Sequence, residues 1–258
     1  MTRLVVGGAV LVALIVSAVL VGLVSSPSLR QEVADRARRV VGTDDLMRGA
    51  HARLDARLNA VGSERGAPVF IRIFKEEAEL ELWARTSAGW RLAHAYPVCD
   101  HSGTLGPKLA EGDRQAPEGF YAVGADQLLP TSRHFRAFNL GFPNAYDRSH
   151  GRTGSFLMVH GGCSSIGCYA MTDRGVAEVY TAVEAALAAG QDSVAVHAFP
   201  FRMTPERMAR AQGSRWIDDW RNLAEGYRLF ERTGRVPAVH TMAGRYTFDG
   251  EGEAIAAW

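Results

Sequence analysis

The sequence predicts an α+β protein: a β-rich domain with flanking helices, preceded by one N-terminal transmembrane helix. Three observations predict it. An uncharged apolar run, Leu4 to Val24, lies near the start of the chain. From Pro68 to Phe201, short apolar or period-two stretches alternate with glycine- and proline-rich turns, the pattern of strands. Apolar residues at helical spacing flank that region on both sides.

The opening run would extend about 31 Å as a helix, enough to cross a bilayer core. It is apolar on every face, unlike an amphipathic core helix. Only Arg3 precedes it, and no small-x-small cleavage site follows, because Val24-Ser25-Ser26 runs into Pro27. Residues 1–24 therefore read as an uncleaved membrane anchor, with a cleaved signal segment as the alternative. Arg30, Arg36, Arg38 and Arg39 follow the run, against the positive-inside pattern. The chemistry below nevertheless puts the body outside the cytoplasm, in the periplasm, anchored to the inner membrane or exported.

Residues 25–66 read as a helical stalk or spacer, with packing onto the main domain as the alternative. Gln31 to Val41 and Asp44 to Val61 have helical spacing, and Gly42-Thr43-Asp44 should break them, Thr43 or Asp44 serving as N-cap. His51 and the Arg53–Arg57 pair read as a solvated face. The main domain spans 67–203. Strands are expected at 69–74, 80–83 and 90–98 as an antiparallel meander, then at 120–123, 135–140 and 155–160. Asn144 to Gly154 reads as a polar loop. Thr172-Asp173 caps a helix carrying Val176, Val179, Tyr180, Val183, Ala186 and Leu187, which Gly190 ends. A buried strand at 193–201 closes the domain. Residues 204–258 form a C-terminal helical extension packed on it through Trp216, Trp220, Leu223, Tyr227 and Phe230.

The 258-residue chain is 47% hydrophobic and 22% charged, with 29 basic and 28 acidic side chains. Such a length holds one sizeable domain plus an appendage. Lys75 and Lys108 are its only lysines, and no basic tract alternates with aromatics, which argues against a nucleic-acid partner.

Reactive groups concentrate in Met158 to Asp173, M-V-H-G-G-C-S-S-I-G-C-Y-A-M-T-D. A cysteine thiolate is a strong nucleophile and a nearby histidine can take its proton. Cys168 follows Gly167 in a turn ahead of a helix, where backbone N–H groups should lower the thiol pKa. The N–H groups of Gly167 and Cys168 could also form an oxyanion hole. His160, ending a buried strand, would be the base, with the Gly161 carbonyl orienting its ring. Cys163 is the rival nucleophile. A zinc site from His160, Cys163 and Cys168 is a further alternative, weakened by a C-x4-C spacing outside the common knuckles. Three cysteines leave at least one thiol free: a Cys99–Cys163 bridge and no bridge at all are both open. His197 reads as a core histidine; His101, His134 and His150 read as solvated loop residues. Arg152 could grip a substrate carboxylate.

These residues resemble the L,D-transpeptidase catalytic domain (YkuD-type). Ser165-Ile166-Gly167-Cys168, after the strand end His160-Gly161, is similar to that family's Ser-His-Gly-Cys turn, and Ala116-Pro117-Glu118-Gly119-Phe120-Tyr121 to its Thr-Pro-x-Gly-x-Phe element. Phe74-Lys75, Tyr96-Pro97-Val98-Cys99, Leu105-Gly106-Pro107-Lys108, Phe138 to Asn144, Gly151-Arg152-Thr153-Gly154 and Phe199 to Met203 resemble its YafK-like branch, over roughly 68–235. Ile166 stands where most members have histidine and Ala170 where many have arginine, and the base-to-nucleophile spacing is only eight positions, features that look shared with that branch.

The resemblance implies acyl transfer on peptidoglycan stem peptides. Cys168 would attack the L-centre carbonyl of a meso-diaminopimelate residue, forming a thioester that water or an amine resolves. Ser165 and Tyr169, with Arg152, are candidate substrate contacts. The YafK-like branch is associated with cutting the link between a lipoprotein and the wall, so a wall-linked lipoprotein is a candidate partner and hydrolysis the alternative outcome. A catalytically silent wall-binding module is the second alternative. No metal or organic cofactor is implied.

Overall fold

The computed structural model describes residues 27–249. The expected membrane anchor, residues 1–24, lies outside the described residues; among the described residues no helix is long and apolar enough to cross a membrane. The chain divides after Leu46 into two units. Helix α1, Pro27–Ala60, runs without a break through both. This corrects the expected interruption at Gly42-Thr43-Asp44: one interior glycine costs a helix only about 1 kcal/mol relative to alanine.

Within the second unit, the last turns of α1 bury Ala50, Leu54 and Leu58, spaced four residues apart on one face. Leu54 and Leu58 join the same core as the strands, so this part packs on the domain instead of standing off as a spacer. Arg53 and Arg57 are also not a solvated face. Both pair with the carboxylate of Glu178, which is buried and also accepts the Tyr96 hydroxyl at 3.0 Å.

The domain is built on a nine-stranded sheet. Its strands are β1 (Val69–Phe74), β2 (Glu79–Thr86), β3 (Gly89–His101), β4 (Gly119–Val123), β5 (Leu128–Ser132), β6 (Phe135–Asn139), β7 (Met158–His160), β8 (Tyr169–Met171) and β9 (Val194–Phe199). They lie in the order β4-β9-β1-β2-β3-β8-β7-β6-β5. All pairs are antiparallel except β1 with β9 and β7 with β8. The 13-residue β3 joins the halves: its first part pairs with β2, and Val98, Asp100 and His101 pair with β8. A register shift between Val98 and Asp100 marks a bulge at Cys99, where the sheet bends.

Short helix α2 (Ala145–Ser149) occupies the expected loop, capped by Asn144, whose side chain accepts from the Asp147 N–H. Helix α3 (Asp173–Ala188) starts as expected, with Thr172 accepting the Gly175 N–H. Helices α4 (Pro205–Arg210) and α5 (Ile217–Thr233) follow, then an unforeseen hairpin of β10 (Val239–Met242) and β11 (Arg245–Phe248). Trp220, Leu223, Tyr227 and Phe230 of α5 are buried; the first three share a second core with Phe74, Phe199 and Phe201. The hairpin is held by Asn222, whose amide bonds the Tyr246 backbone on both its N–H and C=O.

A buried ion pair crosses the domain. Lys75 Nζ lies 3.0 Å from Glu118 Oε1 and donates to the Gly106 carbonyl. Glu118 also accepts from the Gly106 N–H and the Trp220 indole, so its carboxylate is well satisfied.

Candidate active site

Strands β7 and β8 lie side by side near the middle of one half of the sheet, with Val159 opposite Tyr169 and His160 opposite Ala170. The eight residues 161–168 connect them. A connection this short between parallel strands needs unusual backbone, since parallel crossovers normally take a dozen residues or more. The chain supplies it with left-handed φ at Gly162, Cys163 and Gly167. A disulfide between Cys163 and Cys99 ties this loop to the bulge on β3. That bridge removes Cys163 as rival nucleophile and takes a ligand from the zinc alternative. Cys168 is the free thiol.

Cys168 is half-buried, and its Sγ rests against the start of β7, 3.4 Å from the Met158 N–H and 3.6 Å from the Phe156 carbonyl. Burial pushes the thiol pKa up, while the Met158 N–H and the Lys108 charge pull it down less strongly. The expected activation by the α3 terminus is therefore corrected. Strand β8 intervenes between Cys168 and that helix, so the helix terminus does not lie next to the thiol.

His160, only 3% exposed, is held at the end of β7. Its Nδ1 lies 2.5 Å from the Gly161 carbonyl. A carbonyl can only accept, so Nδ1 carries the proton and Nε2 is left as the acceptor. Burial is the largest effect on this imidazole and lowers its pKa; the Gly161 carbonyl opposes it. Gly161 itself is constrained, because a Cβ there would fall 2.4 Å from the Asp173 carboxylate and 2.9 Å from the His134 carbonyl.

The predicted oxyanion donors are occupied. Gly167 N–H donates to Ser102 Oγ at 2.7 Å and to Ser165 Oγ at 3.2 Å; Cys168 N–H donates to Ser165 Oγ at 2.8 Å. Ser165 Oγ also donates to the Cys168 carbonyl, and its N–H donates to Asp100 Oδ2 at 2.7 Å. Ser165 is therefore placed as a staple of the turn. Ser102 and Asp100, which complete the network, were not foreseen. Their signal in the sequence was the polar run Asp100-His101-Ser102 directly after a half-cystine.

Two other candidates are buried and bonded within the protein. Tyr169 is fully buried and donates its hydroxyl to the Pro117 carbonyl at 2.6 Å. Arg152 is buried, with one guanidinium nitrogen on Asp147 at 3.1 Å and another on Asp219 at 2.6 Å. Both of its hands are taken, and the carboxylate it holds is the protein's own. Among the histidines, His197 is a core residue, packed against Phe70 and Phe120, and burial lowers its pKa to about 3. His134 lies in a turn as expected but is half-buried, its ring 4.7 Å from that of His160 and tilted by 35°. His101 is half-buried at the end of β3, opposite Tyr169.

Two large apolar side chains stand open beside the thiol. Phe156, 70% exposed, adopts a left-handed φ of 54°, and Ile166 is 79% exposed.

No family model matches the chain. It is 50% identical over 181 residues to the proteins named "Putative L,D-transpeptidase YafK" in Escherichia coli K12 and O157:H7, covering 70% of this chain and 74% of each relative. Among solved structures, a mutant of the helical cell shape determining protein Pgp2 from Campylobacter jejuni is 19% identical, with 71% of this chain and 65% of that chain covered and a TM-score of 0.43. Bd1075 from Bdellovibrio bacteriovorus is 15% identical, with 71% and 83% covered and a TM-score of 0.39. With half of the residues shared over most of both chains, and with the Ser165-Ile166-Gly167-Cys168 turn beside His160-Gly161, this chain belongs to the L,D-transpeptidase family, in its YafK-like branch.

Proposed function

We propose that the protein is a cysteine acyl-transfer enzyme of peptidoglycan, with Cys168 as nucleophile, His160 as base and Gly161 as its orienter. The observation that carries this reading is one free thiol at the entry to β8 and a carbonyl-oriented imidazole at the end of the neighbouring strand β7. In the first half-reaction the Cys168 proton passes to His160 Nε2, and sulfur attacks the L-centre carbonyl of meso-diaminopimelate. The carbon–nitrogen bond breaks, the leaving amine takes the proton from His160, and a thioester remains. Water or an acceptor amine then attacks the thioester, giving its proton back through His160 and releasing the thiol.

Two observations support resolution by water, with a wall-linked lipoprotein as the leaving group. Ile166 is exposed where most members carry histidine, and Ala170 is fully buried opposite His160 where many carry arginine. A guanidinium could not occupy that buried position uncompensated, so the substrate carboxylate must be held differently here. The Cys99–Cys163 disulfide supports an oxidising, extracytoplasmic location, since such bonds seldom persist in a reducing cytosol. Residues 1–24 would anchor the domain to the inner membrane.

The test is mass spectrometry of sacculi treated with wild-type protein and with Cys168→Ala. New 3–3 cross-links in the wild-type sample mean transfer; released lipoprotein or trimmed stems mean hydrolysis. Equal processing by Cys168→Ala would refute the assignment of the nucleophile.

A further inference from the structure

Next to the base stands a second imidazole that the acyl-transfer reading does not use. His134 comes from the turn between β5 and β6, and its ring packs against that of His160, tilted by 35°. Its backbone carbonyl accepts the Gly161 N–H at 3.1 Å. His134 thus touches both halves of the orienting device: the ring of the base, and the residue whose carbonyl fixes that ring. The backbone contact is also tight, because a Cβ on Gly161 would fall 2.9 Å from the His134 carbonyl. The turn is braced by Ser132, whose hydroxyl accepts the His134 N–H at 3.0 Å.

We infer that His134 is a positioning residue for the catalytic base, clamping the His160 ring from one face and disfavouring a second positive charge beside it. This rests on the proposed role of His160 as base. Two imidazolium rings 4.7 Å apart repel each other. The other ionisable groups around the pair are Asp100 on β3, Asp173 at the start of α3, Arg136 on β6, Arg133 beside His134 and the Cys168 thiol. Asp100 favours the charged form of His160, whereas burial and His134 oppose it. Arg136 is turned away, its guanidinium lying over Tyr180. Asp173 is engaged by the Gly162 N–H. His134 is therefore the neighbour set against the charged base, and it keeps a proton acceptor available as pH falls.

Even at the dielectric of water, unit charges at this separation interact by enough to move a titration roughly half a pH unit. The test compares wild type with His134→Phe, which keeps a flat ring but no charge, and His134→Gln, which lacks both. Histidine-selective NMR follows the His160 resonance in each full-length protein, alongside the pH profile of kcat/KM on muropeptides. In both variants the His160 midpoint should rise by about half a unit, and the acid limb should rise with it. His134→Gln should also lower kcat severalfold with little change in KM, a loss that His134→Phe partly restores. Midpoints that coincide with wild type in both folded variants would overturn the inference. The NMR titration needs no turnover, so a shifted midpoint in a protein without activity would sink the enzyme reading and leave the coupling standing.

Discussion

The Cys99–Cys163 bridge does two things at once, and replacing both cysteines by serine separates them. The bond closes a loop of 64 residues. In chain-entropy terms, a cross-link of that span removes about 14 cal/mol/K from the unfolded ensemble, or about 4 kcal/mol at 25 °C. With a denaturant slope of about 2–3 kcal/mol/M in urea, the unfolding midpoint of the double variant should fall by roughly 1.5–2 M. The same measurement on wild type with and without a thiol reductant should give the same difference. Function should suffer below the unfolding midpoint as well, because the bridge pins the loop that leads to Cys168. Alkylation of Cys168 in the folded double variant should become faster, reporting a looser turn. A midpoint change equivalent to less than about 1 kcal/mol would refute the entropic account. Unchanged Cys168 reactivity would refute the pinning of the loop.

Three further outcomes are expected. Because burial raises the Cys168 pKa, iodoacetamide labelling should reach half its maximal rate at a higher pH than a free cysteine, and a lower midpoint would contradict the buried-thiol geometry. Glu178→Ala should destabilise the domain by about 2–3 kcal/mol in urea unfolding, less than a fully buried pair, because Arg53 and Arg57 can regain water. His197 has a folded pKa of about 3 against an ordinary 6.5, so the unfolded chain binds its proton first as pH falls. Stability should therefore be lost below pH 6.5, by about 2 kcal/mol at pH 5 from this group. His197→Phe should flatten that part of the profile, and an equally steep loss in the variant would assign it to other groups.

Much of this was legible in the sequence because the physics was local. The strands at 69–74 and 120–123 and the Thr172-capped helix follow period and capping rules that need no distant partner. The proposed base, its proposed orienting glycine and the motif thiol were marked by adjacency within sixteen residues. What failed to show was non-local. Strand β8 is three residues long and exists because β3 and β7 flank it. Arg53 and Arg57 looked solvated because Glu178 is over a hundred residues away. Arg152 looked like a carboxylate binder, and is one, but its carboxylates belong to Asp147 and Asp219. His134 reached His160 only through the pairing of β6 with β7.

The serine-filled turn has a consequence for selectivity along the reaction coordinate. Because Ser102 and Ser165 already satisfy the N–H groups of Gly167 and Cys168, a neutral substrate carbonyl arriving there would exchange one hydrogen bond for another of similar strength and gain little. A full negative charge on that oxygen is a much stronger acceptor than a hydroxyl and would displace the serines at a profit. The occupied turn would thus stay indifferent to the ground state and respond only when the tetrahedral anion forms, which is the differential binding that raises kcat without tightening KM.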